Sequence, residues 1–158
     1  FDNMSISNSH FLSLSLGGGF GNDTFTMTTV TVDKLMSLDG GAGNDTATLT
    51  GLNASAVAIK LGAGTDNLVM DTGTIAQGIT IDGGDGNDAV GLKNLHAKTL
   101  QVTLDAGADT LSLLNLAISS TATINGGAGN DTSTDMGGNT YGSFKRLNFE
   151  IAGTPPSP

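Results

Sequence analysis

The sequence predicts an all-β, single-domain parallel β-solenoid of about seven coils of 21–22 residues with a C-terminal cap. Three observations predict it. A glycine-rich hexapeptide ending in aspartate recurs at fixed spacing, apolar columns of period two run between its copies, and 24 of 158 residues are glycine while cysteine and tryptophan are absent.

The loops come first because they set the register. Gly18-Gly19-Phe20-Gly21-Asn22-Asp23 is echoed at Gly40 to Asp45, Gly83 to Asp88 and Gly126 to Asp131, with weaker copies from Leu61 to Asp66 and Leu104 to Asp109. The closing aspartates Asp23, Asp45, Asp66, Asp88, Asp109 and Asp131 are 22, 21, 22, 21 and 22 residues apart. One step further back lands on Asp2, so that Met4 and Ile6 take the columns of Phe25 and Met27 and the chain begins in mid-coil. Aspartates two loops apart are separated by 43 residues, which reads as duplication of a pair of coils.

The strands follow from the columns. Seven residues before each aspartate stand Leu16, Leu38, Ile59, Ile81, Val102 and Ile124, and nine before it Leu14, Met36, Val57, Ile79, Leu100 and Ala122. Two residues after it come Phe25, Ala47, Leu68, Val90 and Leu111, and four after it Met27, Leu49, Met70, Leu92 and Leu113. A third segment carries Val30, Leu52, Leu95 and Leu116, then Val32, Ile75 and Ile118. Alternation of period two in Thr-, Val-, Ile- and Leu-rich runs is a strand pattern, not a helical one. Each coil is therefore read as about three short strands whose apolar face is buried only when coils stack.

Residues 1–140 are assigned to the solenoid. In the last coil Ser133, Asp135 and Gly138 occupy apolar columns, and 141–153, with Tyr141, Phe144, Leu147, Phe149 and Ile151, is read as a capping segment. Thr154-Pro155-Pro156-Ser157-Pro158 reads as a Pro-rich linker or tail, since proline cannot donate to a sheet. The N-terminal coil shows no equivalent cap. That edge is read either as a cut through a longer solenoid, adjoining further coils, or as a surface for head-to-tail self-association.

A net charge of −9 with six scattered basic residues excludes a phosphate-backbone partner. No apolar run is long enough to insert in a membrane, and Phe1 to His10 do not form a signal peptide. Without cysteine, disulfides cannot brace so many loops, and a metal ion is one candidate for that task.

Gly40-Gly41-Ala42-Gly43-Asn44-Asp45-Thr46-Ala47, Gly83 to Val90 and Gly18 to Phe25 resemble the RTX-type calcium-binding nonapeptide repeat, with aspartate sixth and an apolar residue eighth; Gly126 to Ser133 matches except at the apolar place. The resemblance implies Ca2+ as cofactor. It implies ligands Asp23, Asp45, Asp88 and Asp131 in the well-formed loops, Asp66 and Asp109 in the weaker ones, and Asn22, Asn44, Asn87 and Asn130 beside them. The chain departs from that family in having one such loop per coil where the family has two. Stacking supplies an argument of its own, because it brings aspartates within roughly 5 Å of one another, where like charges repel and an intervening cation relieves them. The alternative is that these Asn and Asp side chains bond their own turn backbone and face water.

The functional expectation is a calcium-binding structural or adhesive module of a secreted or cell-surface bacterial protein, a stiff spacer or fibre element located outside the cell. A self-assembling filament subunit without essential calcium, a carbohydrate-active lyase-like β-helix acting on surface polysaccharide, and an ice-binding solenoid are the alternatives. Catalysis is not expected, because His10, His96 and the lysines form no cluster with an acid. The Thr24, Thr26, Thr46, Thr48, Thr132 and Thr134 columns favour ice binding but are interrupted by Val69, Ala89 and Gly91.

Overall fold

A computed structural model of the chain describes residues 1–150. The Pro-rich tail and Ile151, the apolar residue placed last in the cap, lie outside the described residues. The strands are β1 (Asn3–Phe11), β2 (Leu14–Phe20), β3 (Thr24–Ala42), β4 (Thr46–Ala63), β5 (Asn67–Asp85), β6 (Ala89–Thr103), β7 (Ala106–Gly107), β8 (Thr110–Leu114), β9 (Ala117–Asn125), β10 (Ala128–Gly129), β11 (Thr132–Asp135) and β12 (Thr140–Leu147). Every pairing among the described residues is parallel and joins one coil to the next, giving a solenoid of about seven turns.

The predicted register holds from the first coil, where Met4 pairs with Phe25 and Ile6 with Met27. The apolar columns point inward and form one continuous core, from Phe25 and Met36 through Leu68 and Ile81 to Leu113 and Ile124. The strands are longer than expected. β3, β4 and β5 each run 18 or 19 residues through a corner without a break. That corner is turned by a single left-handed residue six or seven places after the aspartate: Asn8, Thr29, Gly51, Thr72, Asn94, Asn115 and Gly138, with φ between 47° and 72°. One such residue bends the chain while its neighbours keep their bonds to the next coil.

The alternation of 21 and 22 residues has one structural origin. Coils register without a break from the aspartate loop to Val32, Ala54, Ile75 and Ala97, and the shift falls between these residues and Leu35, Val57, Gly78 and Leu100. The extra residue of alternate coils is confined to this third corner.

At the C-terminal end β12 continues the stack along β9, with Tyr141 opposite Ile118 and Arg146 opposite Ile124. Arg146 donates to Ser133 Oγ at 3.2 Å, and Asp135 accepts from the Gly137 amide and Asn139 Nδ2 at 2.8 and 2.6 Å. The Tyr141 ring stacks on Phe144 at 4.7 Å between centroids. The core columns of this last coil thus mix polar Ser133, Asp135 and Arg146 with Tyr141 and Phe144, the latter half exposed, and among the described residues no strand pairs with the outer edges of β11 and β12.

Candidate functional site

The site is built from two adjacent columns at the glycine corner. The period-two alternation that puts Phe25 and Met27 inside also puts Asp23 inside, two residues earlier. All six repeat aspartates, Asp23, Asp45, Asp66, Asp88, Asp109 and Asp131, are buried, none more than 3% exposed. They do not face water as ordinary turn residues do.

Each carboxylate spends one oxygen on the coil before it. Oδ1 of Asp23, Asp45, Asp66, Asp88, Asp109 and Asp131 accepts the backbone N–H of Asp2, Asp23, Asp45, Asp66, Asp88 and Asp109, at 2.5–2.9 Å. The last amide of the column, that of Asp131, donates to Glu150 Oε2, which takes the place of a further aspartate. The result is a directional ladder inside the rod. The other oxygen, Oδ2, is buried in all six aspartates and has no partner among the described residues. A buried polar group without a partner costs about 1–3 kcal/mol, and more if it is charged.

The asparagines one residue earlier point outward and form a second ladder of opposite direction. Oδ1 of Asn22, Asn44 and Asn87 accepts the amide of Asn44, Thr65 and Ala108 in the following coil, at 2.8–2.9 Å. Those three oxygens stiffen the loop stack itself; Asn130 occupies the same exposed column.

The glycines explain how the loops lie so close. A Cβ on Gly43, Gly64, Gly86, Gly107 or Gly129 would strike the carbonyl of the glycine one coil earlier, well inside contact distance. The first loop glycine has a different role. A Cβ on Gly18, Gly40, Gly83 or Gly126 would sit within 3.0 Å of both the Oδ2 of its own loop's aspartate and a carbonyl oxygen of the next coil. In these four loops two oxygens therefore turn toward a side of the backbone that carries no side chain. In the two weaker copies Leu61 and Leu104 hold that place and are buried.

Burial pushes the carboxyls of Asp45, Asp66 and Asp109 above the ordinary carboxylate range, against the lowering effect of the amide each one accepts. Asp88 is pushed up to about 6 by burial first, with the neighbouring charges of Asp66 and Asp109 adding to it. The donors are all hard oxygens, carboxylate and carbonyl, the chemistry of calcium or magnesium and not of zinc. Among the described residues there is no cluster of three or more His, Cys, Asp or Glu placed to hold a metal, so any ion here would draw on carbonyls as well as carboxylates.

Elsewhere the two histidines weighed from sequence lie apart, but His10, expected to have no acidic neighbour, has one, because the third corner brings Asp33 of the next coil beside it. His10 Nε2 meets Asp33 at 2.7 Å on the surface, and His96 lies with Lys98, Ser119 and Tyr141 along a lateral groove of about 770 Å³ whose lining, among the described residues, contains no carboxylate. Asp39, Lys60 and Asp82 align in successive coils, as do Asp71 and Lys93. Compared with known proteins, the chain matches no family model, no curated protein and no solved structure.

Proposed function

We propose that this solenoid is a calcium-stiffened structural module, a rigid spacer or fibre element of an extracellular or cell-surface protein. The observation that carries the reading is the unpartnered Oδ2 on all six buried aspartates. Six carboxylates stacked roughly 5 Å apart in a dry ladder repel one another, and protons or cations must relieve them. Calcium suits a set of carboxylate and loop carbonyl oxygens. Asp23, Asp45, Asp88 and Asp131, whose loops carry the open first glycine, are the residues that would hold it. Ion binding would then be coupled to folding, leaving the chain loose where calcium is scarce and rigid outside the cell, where it is plentiful.

Thermal unfolding followed by circular dichroism, with calcium and with a chelator, tests this directly. The expected outcome is a melting temperature that rises with calcium concentration, alongside terbium luminescence that calcium displaces. An identical melting curve in chelator and in millimolar calcium would remove the ion from the proposal and leave a metal-free spacer.

A further inference from the structure

Each coil turns three corners, and at two of them exposed side chains are engaged by the neighbouring coil. Asn22, Asn44 and Asn87 accept amides at the glycine corner, and Asn115 donates to Asn94 at the left-handed corner. Along the third corner Thr31, Asn53, Thr74, His96, Ala117 and Thr140 stack in unbroken register through six coils. Here the polar side chains of Thr31, Asn53, Thr74 and Ser119 line a groove and make no hydrogen bond among the described residues.

The groove follows the axis of the rod, across the strands. Its wider stretch, about 770 Å³, runs from Thr74 to Gly142, and a further stretch of about 370 Å³ continues past Thr74 and Ala76 to Thr31 and Asp33. Five steps between six coils, at about 4.8 Å each, make it roughly 24 Å long. Ala54 and Ala97 lie in its floor. They are 8% and 7% exposed where the other buried apolar residues are at 2% or less, so solvent reaches the core here.

Charge sets this strip apart. Of the chain's fifteen acidic residues Asp33 alone lines the groove, at its narrower end and hydrogen-bonded to His10 at 2.7 Å. The wider stretch holds Lys98 and His96 and no carboxylate. In a chain of net charge −9 this is the face that an anion can approach.

The direction of the groove narrows the choice of ligand. An extended peptide gains affinity by adding a strand to a sheet edge, and a groove that crosses the strands offers it no such edge. A linear glycan needs none. Its rings recur at close to the coil spacing, their hydroxyls match a row of Thr, Ser and Asn side chains, and their apolar faces fit an alanine floor. We infer that the groove binds a linear polysaccharide carrying carboxylates, laid along the rod with a carboxylate on the Lys98 ammonium and its hydroxyls on Thr31, Asn53, Thr74 and Ser119. This adds a ligand to the proposed structural module and does not depend on calcium, since no repeat aspartate lines the groove.

Fluorescence anisotropy of labelled hyaluronate oligosaccharides, linear chains with a uronate in every repeat, tests the inference on the whole chain in calcium buffer, with circular dichroism reporting the fold. Saturable binding is expected. Lys98→Glu, at an exposed position, should weaken it roughly tenfold or more, the worth of one charge-assisted contact. Ala76→Trp, which fills the exposed junction of the two stretches without changing charge, should weaken it as well. Lys60→Glu makes the same charge change at the glycine corner and should have far less effect. Cello-oligosaccharides, which have rings and no charge, and polyglutamate, which has charge and no rings, should compete poorly. No binding by the folded parent chain, equal losses from Lys98→Glu and Lys60→Glu, or equal competition by either control polymer would each overturn the inference. Binding that both groove variants leave unchanged would also overturn it, by placing the glycan on the acidic edge through bridging calcium. A melting curve indifferent to calcium would remove the ion from the proposed function and leave this inference standing.

Discussion

Replacing Asp88 by asparagine separates the two jobs of the ladder. The amide side chain would keep an Oδ1 acceptor for the Asp66 N–H, now at 2.9 Å, and would remove the charge on the unpartnered Oδ2. Burial moves this carboxyl from 3.8 to about 6, and at about 1.4 kcal/mol per pH unit that is about 3 kcal/mol against the folded, ionised state. That figure is the upper bound, so Asp88→Asn should stabilise the calcium-free protein by up to about 3 kcal/mol near pH 8. Asp88→Ala leaves the Asp66 amide buried without an acceptor and should cost about 1–3 kcal/mol in any condition. At about 2–4 °C per kcal/mol for a chain of this size, the two variants should move the melting temperature in opposite directions in chelator. With calcium present the order should tighten or reverse, because the asparagine variant forfeits part of the calcium-induced rise. Equal destabilisation by Asn and Ala in chelator would refute the reasoning, since it would mean that Oδ2 carries no cost.

The calcium-free protein should be more stable near pH 5 than near pH 8 in urea titrations. The folded pKa values of Asp45, Asp66, Asp88 and Asp109 lie above their ordinary values, so the folded state binds more protons and stability falls as pH rises through that window. Gly86→Ala should destabilise by more than about 2 kcal/mol in chemical denaturation, because its φ of 133° and the Gly64 carbonyl both oppose a Cβ; Gly91→Ala, with no close contact and no positive φ, should be neutral within about 0.5 kcal/mol. Thr29→Asn should stabilise by about 0.5–1 kcal/mol in the same assay, since a β-branched residue holds φ at 55° on an exposed corner where the equivalent coils use Asn8, Asn94 and Asn115.

The repeat makes most of this architecture legible, because a fixed aspartate spacing and period-two columns leave one stacking register. The corner at Asn8, Thr29, Gly51 and Thr72 escapes a reading of residue types because its members share a backbone angle and not a chemistry. The enrichment of Asn and Gly six places after the aspartate is the signal available. The inward direction of the aspartates is also readable, two residues ahead of the buried Phe25, but a polar residue closing a glycine turn looks like a surface residue. Glu150 is hidden by its spacing of 19 residues from Asp131, out of step with every other rung. The pairing of each Oδ1 with a neighbouring amide depends on side-chain rotamers, which no pattern of residue types specifies.

The two ladders together argue for the cation more strongly than either does alone. Along the outer column the chain needs only an acceptor for the next coil's amide, and it uses the neutral amide of Asn22, Asn44 and Asn87. One residue further on, inside the rod, the same kind of bond is made to a carboxylate in all six coils. Asparagine would accept that amide equally well, would bring a donor in place of the orphaned Oδ2, and would avoid stacking charge. As a purely structural rung, aspartate is therefore the inferior choice at every one of these positions. It becomes the better one when a proton or a cation shares the ladder, and under the proposed function a divalent cation drawing on Oδ2 and the adjacent loop carbonyls would turn the repulsion that opposes folding into an interaction that favours it.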